Sequence, residues 1–203
     1  MRKDVLISSV RKAIMKQTSG TQDSLKFSHP AVVEGEVSKA YDEILKKYYA
    51  SNINLMNAEL DYYAKKYRLS ISTDSDGVNY ITLPVRPIQL RNNLGVRYVK
   101  PAKGKITFVR SNDVEIESIN NLEVSKCLNH AFYYMDGNKR VTLEFSRSEH
   151  SMIEQVDVKV LPVFEDFDDS DDIEFPVGGK QATDMVLETM GFRPTDNTND
   201  DVM

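Results

Sequence analysis

Apolar residues recur every three or four positions in the first third of the chain, which is the spacing of a helix with one buried side. Residues 3–17 predict a first helix, and Pro30 is placed to open a second. The apolar positions of the first helix are Leu6, Val10, Ala13 and Ile14, and those of the second are Val37, Ala40, Tyr41, Ile44, Leu45 and Tyr48. The same spacing continues over residues 52–68 through Met56, Leu60, Tyr63 and Tyr67. These segments predict a helical hairpin or one long bent helix.

From Ser70 onward the spacing of apolar residues falls to about two, which predicts strands. Strands are expected at residues 79–83, 94–99, 105–110, 130–135, 140–145 and 155–160. The fourth and fifth flank the sequence Asp136-Gly137-Asn138-Lys139, and an Asp-Gly pair supplies the positive φ angles of a tight hairpin. The last strand alternates valines with Asp157 and Lys159, a pattern typical of a strand with one face in water.

The final forty residues change character twice. An acidic stretch at residues 164–174 (FEDFDDSDDIE) precedes FPVGG and a helical pattern at residues 180–190, which Gly191 ends. Because like charges repel and solvate well, we expect the acidic stretch to be a solvated linker, or else a charged segment that meets a basic surface on a neighbouring subunit. The polar tail after Pro194 has almost nothing to bury, so it is expected to become ordered only against another protein.

Helices first, strands in the middle and one helix near the end predict an α+β fold. We expect a helical region at residues 1–69, which includes the hairpin, and a central antiparallel β-sheet or small barrel at residues 70–163. Residues 164–203 would then form an acidic linker, a docking helix and an extended C-terminal arm.

The formal net charge of −5 does not favour DNA, RNA or anionic lipid as general partners. Much of the acid lies at residues 165–174, so the rest of the chain leaves room for a local basic surface. A candidate basic stripe beside Tyr98 and Phe108 consists of Lys100, Lys103, Lys105 and Arg110, although a solvated strand edge explains these residues more simply.

Cysteine usage and hydropathy exclude several classes of protein. Cys127 is the only cysteine, so neither an intrachain disulfide nor a cysteine-based zinc cage can form. No apolar stretch reaches the roughly 18 residues of a membrane span, and polar residues interrupt the apolar part of the N-terminal segment. We therefore expect no membrane partner and a protein made in the cytoplasm.

Candidate catalytic patterns are incomplete. None of the histidines, His29, His130 and His150, has a His or Cys neighbour at metal-ligand spacing, and a Cys127–His130 pair lacks an orienting group. The sequence GGKQ at residues 178–181 departs from the phosphate-binding loop, and the acidic stretch lacks the spacing of a calcium loop. We predict no catalytic residue, no cofactor, no metal and no enzymatic activity.

The remaining candidates are residues that would contact other proteins, because tyrosines and methionines on amphipathic helices suit such contacts. One group is a tyrosine surface on the predicted hairpin, formed by Tyr41, Tyr48, Tyr49, Tyr62, Tyr63 and Tyr67. The other is the docking helix and tail, with Met185, Leu187, Met190, Pro194, Asp196, Asn197 and Asn199.

Three short segments carry a resemblance to a known family: YITLPVRPI at residues 80–88, closing in Leu94-Gly95-Val96 and Pro101; FPVGG and the helix after it at residues 175–190; and PTDNTND at residues 194–200. Together they resemble the ring or adaptor proteins in the neck and tail of crAss-like short-tailed phages. The order of helices before a β body is also similar to the adaptor class that includes the tail tubular protein A of short-tailed phages.

The resemblance implies a virion structural protein that connects head and tail. Such subunits form a multimeric ring, commonly a dodecamer, below the portal, and the ring lines or extends the DNA channel. The implied partners are other copies of the chain, the portal protein, neighbouring tail or ring proteins, and genomic DNA that passes without sequence-specific binding. The implied location is the neck or tail of the virion, after assembly in the host cytoplasm.

The residues leave other hypotheses open. A non-catalytic regulatory or scaffolding protein would use the same hairpin and tail to hold a partner. A hydrolase built on Cys127, His130 or the acidic carboxylates, and a nucleic-acid-binding module built on the basic stripe, are further alternatives.

Overall fold

The structure is a computed structural model of the 203-residue chain, and it describes residues 1–19, 27, 29–51, 63–90, 94–111, 130–145, 152–173 and 182–194. The chain divides into two compact units. Met1–Met56 and Phe164–Met203 form one, called here the helical unit, and Asn57–Val163 form the other, called the β unit. The fold is α+β, as the sequence predicts.

Three helices build the described part of the helical unit: α1 (Lys3–Thr18), α2 (Pro30–Ser51) and α3 (Ala182–Thr189). Each contacts the other two. The four apolar positions predicted for the first helix, Leu6, Val10, Ala13 and Ile14, are all buried. Helix α2 begins at Pro30 as expected, and α3 is followed by Gly191 with φ of 83°. Local pattern and end signals therefore located these helices correctly.

The acidic stretch is not a solvated linker in its described part, residues 164–173, which we call the acidic segment. Phe164, Phe167 and Ile173 are buried, and the first of them begins a short 3-10 turn, Phe164–Asp166. The ring centres of Phe164 and Phe167 lie 5.5 and 6.1 Å from the ring centre of Tyr41 in α2. The prediction was wrong because apolar residues interleaved with the aspartates supply enough hydrophobic burial to hold the segment against the helices.

Backbone hydrogen bonds tie the acidic segment to the start of α1. The amide of Lys3 donates to the carbonyl of Asp171 at 3.0 Å, and the amide of Asp4 donates to that of Asp169 at 3.2 Å. The first amides of any helix lack partners within the helix, and Arg2 gives no side-chain cap here. The acidic segment therefore satisfies donors that α1 cannot satisfy itself.

Lys3 adds a buried cation to this junction. Its side chain is 5% exposed, and Nζ donates to the carbonyl of Phe167 at 3.0 Å and pairs with Glu34 at 2.9 Å. The ammonium also lies 5.4 Å from the centre of the Phe164 ring. Hydrogen bonds, an ion pair and a ring face thus compensate for the loss of water around this lysine.

Eight strands are described in the β unit, and they form two sheets. The strands are β1 (Lys65–Ser70), β2 (Ser72–Thr73), β3 (Asn79–Thr82), β4 (Val96–Pro101), β5 (Thr107–Arg110), β6 (His130–Met135), β7 (Arg140–Phe145) and β8 (Gln155–Val160). One sheet has the order β1-β8-β4 and the other β2-β3-β7-β6-β5. These described strands do not close into a barrel. Residues from both sheets, including Val99, Tyr133, Val141 and Val158, share one apolar core.

One prediction about the β unit was wrong, and one strand pairing departs from the antiparallel pattern. Residues 65–68 form part of strand β1 rather than the end of a helix, while residues 52–62 lie outside the described part of the chain. Tyr67 and Leu69, two positions apart, pack against the core because β1 pairs with β8. The five-stranded sheet is also not wholly antiparallel, since β5 and β6 run parallel.

The predicted hairpin is confirmed. Strands β6 and β7 pair antiparallel, and the amide of Asp136 donates to the carbonyl of Arg140 at 2.9 Å. Gly137 has φ of 86°, a conformation that a side chain would disfavour. Turn chemistry was therefore sufficient to place this reversal.

The segment that follows β3 runs through the core and is held at Gly95. Leu83, Val85 and Ile88 are buried. The amide of Ile88 donates to the carbonyl of Leu161, and the amide of Leu161 donates to that of Gly95, both at 2.8 Å. A Cβ at position 95 would lie 2.1 Å from the carbonyl oxygen of Ile88. Only glycine permits this approach of two backbones.

Among the helices that the structure describes, none combines the length and the apolar character required to cross a membrane.

Gly95→Ala should lower the free energy of unfolding by about 1–3 kcal/mol, because the added methyl overlaps a backbone oxygen that cannot move alone. Gly35→Ala in α2 is the matched control, since a Cβ there meets nothing within 4 Å. Replacing a glycine inside a helix should raise the free energy of unfolding by about 0.5–1 kcal/mol. Urea unfolding monitored by circular dichroism measures both, and a Gly95→Ala protein as stable as the wild type contradicts the close approach.

Lys3→Met keeps most of the side-chain volume but removes the donor to the carbonyl of Phe167. We expect a loss of about 1–3 kcal/mol in the free energy of unfolding, the cost of a buried polar group left without its partner. Lys12→Met on the exposed side of α1 should change the same quantity by less than about 0.5 kcal/mol. If the two substitutions changed the free energy of unfolding equally, the buried contacts of Lys3 would contribute nothing to stability.

Candidate interaction surfaces

The outward face of the three-stranded sheet gathers basic side chains from three strands. In the register, Lys66 of β1 and Tyr98 of β4 both lie opposite Lys159 of β8. Arg68 of β1 and Lys100 of β4 both lie opposite Asp157 in the same way. Directly opposed residues share one face of a sheet. We call the surface made by Lys66, Arg68, Tyr98, Lys100, Asp157 and Lys159 the basic sheet face.

The valines of β8 determine which way this face points. Val156, Val158 and Val160 are fully buried in the core of the β unit. Because successive side chains of a strand point to opposite faces, Asp157 and Lys159 point away from that core. Lys66 and Arg68 are 55% and 59% exposed, so the face is open to solvent.

Asp157 lies at the centre of the basic sheet face and is held by two cations. Arg68 donates from Nε to Oδ1 at 2.8 Å and from a terminal nitrogen to Oδ2 at 3.3 Å, while Lys66 pairs with Oδ2 at 2.9 Å. The hydrogen bond from Arg68, followed by that from Lys66, lowers the pKa of Asp157 to about 2. With four cations and one carboxylate, the face keeps an excess of positive charge.

Tyr98 gives the face an aromatic component. The ammonium of Lys100 lies 4.5 Å from the centre of the Tyr98 ring, within the range of a cation–π contact. The register places Lys100 opposite Asp157, so the cations of β1 and β4 flank the central strand β8.

The candidate basic stripe from the sequence is only partly correct. Arg110 is half-buried and donates to the backbone carbonyls of Val96 and Arg97, and its guanidinium lies 5.7 Å from the Tyr133 ring. Phe108 likewise packs against the core, with its ring 5.9 Å from that of Phe145. Both residues were misassigned because a short strand with few charges gives no clear indication of which face is buried.

Lys66 and Arg68 were not singled out from the sequence, and Lys159 was placed only on the solvent face of its strand. Arg68 and Asp157 are 89 positions apart, and only the pairing of β1 with β8 brings them together. The alternation of Asp157 and Lys159 with valines was the one signal that placed part of this face in water.

The acidic segment forms a second charged surface, on the helical unit. Asp168, Asp169 and Asp172 are exposed, the last with 79% of its side chain open to solvent. The backbone of the segment is nevertheless fixed, because the carbonyls of Asp169 and Asp171 accept hydrogen bonds from the start of α1. These carboxylates therefore project from an ordered backbone.

The two units differ in formal charge. Residues 1–56 and 164–203 contain 11 Lys and Arg and 18 Asp and Glu, a net charge of −7. Residues 57–163 contain 15 Lys and Arg and 13 Asp and Glu, a net charge of +2. The total charge of −5 therefore conceals an acidic helical unit and a mildly basic β unit.

Two of the predicted interaction residues are core residues. Tyr41 is 1% exposed between the rings of Phe164 and Phe167, and Leu187 of α3 is fully buried. Neither side chain is available to a partner of the folded unit. The pattern showed that each helix buries one face, but it did not show that the covering residues come from the same chain.

The other predicted interaction residues differ in how far they are exposed to solvent. Tyr48, Tyr49 and Tyr63 are half-buried, as are Tyr67, Met185 and Met190, and Pro194 is exposed. Asp196, Asn197 and Asn199 lie outside the described residues, as does Tyr62. A contact role for these residues stays a prediction.

The candidate catalytic residues are not brought together in the described part of the chain. His29 is exposed immediately before α2, where its Nδ1 accepts from the amide of Ala31 at 3.3 Å, and His130 is half-buried in β6. Cys127, His150 and residues 178–181 lie outside the described residues. Over the described residues, no group of three or more His, Cys, Asp and Glu side chains is placed to hold a metal ion.

Comparison with protein-family models and with curated proteins finds no match to this chain.

The paired cations predict the acid behaviour of Asp157. Its pKa of about 2 lies below the ordinary value of 3.8, so its contribution to stability is complete above about pH 4 and is lost as the pH falls towards 2. Carbon-detected NMR of the side-chain carboxyl should give a titration midpoint near pH 2. Arg68→Gln should raise this midpoint more than Lys66→Gln does, and a wild-type midpoint at or above 3.8 contradicts the arrangement.

Proposed function

We propose that this protein is a virion structural protein, a subunit of a multimeric ring in the neck or tail of a crAss-like short-tailed phage. The ring joins portal and tail and lines or extends the DNA channel. In this role the chain acts through its surfaces and has no catalytic part. Its partners are other copies of itself, the portal protein and adjoining tail or ring proteins.

The basic sheet face is the observation that carries this proposal. It is an exposed, charged surface on three hydrogen-bonded strands, so its side chains keep fixed spacings of about 5 Å between neighbouring strands. A surface of this kind suits a macromolecular partner of matching charge. A ring subunit needs at least two different contact surfaces, because each copy must meet a neighbour on both sides.

The first of the segments that carry the resemblance has a structural role that agrees with this proposal. Residues 80–88 include β3 and the buried positions up to Ile88, and Gly95 completes the backbone contact with that segment. A motif of this type preserves the shape of the β unit, and with it the position of the basic sheet face. Its likeness to ring and adaptor proteins therefore concerns architecture rather than chemistry.

Passage of DNA imposes a condition on the subunit. Phosphates bind to clustered Lys and Arg with an affinity that depends steeply on salt, so a channel wall rich in such residues would retain the genome. The helical unit has a formal charge of −7, of which the acidic segment supplies −6, so the rest of this unit is close to neutral and would not retain phosphate. The proposal therefore assigns the channel wall to acidic or neutral surface and the basic sheet face to contacts within the assembly.

Analysis of purified particles tests the proposal. Virions of the phage that encodes this chain, purified on a density gradient, should contain the protein in a fixed ratio to the portal protein by quantitative mass spectrometry. Electron microscopy with an antibody to the β unit should label the head-to-tail junction. Absence of the protein from particles overturns the proposal, and its recovery instead with a soluble host or phage factor supports a regulatory or scaffolding role.

A further inference from the structure

We infer that the basic sheet face of one copy of this protein docks the acidic segment of a second copy. The inference rests on the proposed function in taking a sibling subunit as the occupant. It names the two surfaces that meet: Lys66, Arg68, Lys100 and Lys159 on one copy, and Asp168, Asp169 and Asp172 on the next.

The first argument is charge complementarity within one sequence. The β unit carries a net charge of +2 and places four of its cations on one sheet face. The helical unit carries a net charge of −7, with three exposed carboxylates on the acidic segment. Opposite patches of this kind steer association and fix its orientation.

The second argument is that both surfaces are held in place before they meet. The cations of the basic sheet face stand on paired strands, and the carboxylates stand on a backbone fixed by hydrogen bonds to α1. Ordered surfaces lose less conformational entropy on contact than mobile ones. A free acidic linker would lack this advantage.

The third argument concerns the symmetry of the contact. A copy that offers the basic sheet face to one neighbour and the acidic segment to another makes a heterologous contact, which is the type that the proposed ring requires. Contacts of this type produce a closed ring when the rotation between copies divides a full turn, and an open filament otherwise.

Asp157 favours a protein partner over nucleic acid. It is a carboxylate at the centre of the face, where Lys66 and Arg68 pair with it and where it would repel a phosphate. An acidic peptide surface can place its carboxylates beside Lys100 and Lys159 and avoid the centre. Uniform attraction of phosphates would require a face without this negative charge.

The expected contact is weak in dilute solution and sensitive to salt. Exposed ion pairs contribute little individually, and ions at about 0.15 M screen charges beyond roughly 8 Å. Self-association should therefore be detectable at low ionic strength and fall at least about tenfold in strength between 50 and 300 mM salt.

A charge-swap experiment tests the inference with the full chain. Variant one carries Lys100→Glu and Lys159→Glu on the basic sheet face, and variant two carries Asp168→Lys and Asp169→Lys on the acidic segment. Sedimentation velocity at 50 mM salt should show self-association about tenfold or more weaker for each variant alone than for the wild type. An equimolar mixture should regain association, because the unaltered basic sheet face of variant two then meets the unaltered acidic segment of variant one, and the two altered surfaces also carry opposite charges.

A control separates the contact from a general effect of net charge. Lys12→Glu with Lys46→Glu makes the same change in net charge as variant one, but on the exposed sides of α1 and α2, and it should associate like the wild type. Circular dichroism and thermal melting establish that all three variants remain folded.

Three results would overturn the inference: variants that associate as strongly as the wild type, a mixture that stays dissociated, or tight binding of a labelled DNA duplex that depends on Lys100 and Lys159. The outcome is independent of the particle analysis. If the mixed variants associate but the protein is absent from virions, the contact is supported and the proposed function is not. If the protein is present in virions but the mixed variants stay dissociated, the proposed function is supported and this contact is not.

Discussion

The alternation of side chains along β8 is the constraint on which the β unit and its charged surface both depend. Val156, Val158 and Val160 point into the core, so Asp157 and Lys159 must point out. A shift of one residue would bury the charges and expose the valines, and the free-energy cost fixes the register with β1 and β4. That register places Lys66 and Arg68 around Asp157. The packing of the interior thus determines the arrangement of charge outside.

In the helical unit, helix α1 and the acidic segment likewise stabilise each other. Helix α1 needs acceptors for its first amides, and the acidic segment supplies two of its carbonyls. The segment in turn gains burial for its aromatic residues and Ile173. Its aspartates remain in water on an ordered backbone, so a stretch that would repel itself as a free linker becomes a defined charged surface. Two charged surfaces of opposite sign, each supported by a core, are what the proposed contact between copies requires.

The accuracy of the sequence predictions followed the strength of local signals. Helix α1, the start of α2 at Pro30 and the hairpin at Gly137 were predicted correctly, because periodicity and turn residues act within a few positions. The segment around Tyr67 was not, since its spacing from Tyr63 fits a helix and its spacing from Leu69 fits a strand. Its partner strand β8 lies far along the chain and decided the outcome. The parallel pairing of β5 with β6 has no local signature either.

The sequence by itself determined the fold class, most element positions and the concentration of acid at residues 165–174, because composition and periodicity are properties of neighbouring residues. Only the tertiary structure decided that Tyr41 and Leu187 belong to a core, and that the acidic segment covers the helices. It alone assembled the basic sheet face from strands separated by many residues. The physical reason is that burial and charge pairing depend on which segments meet in space, and a local pattern shows that a face will be covered without showing by what.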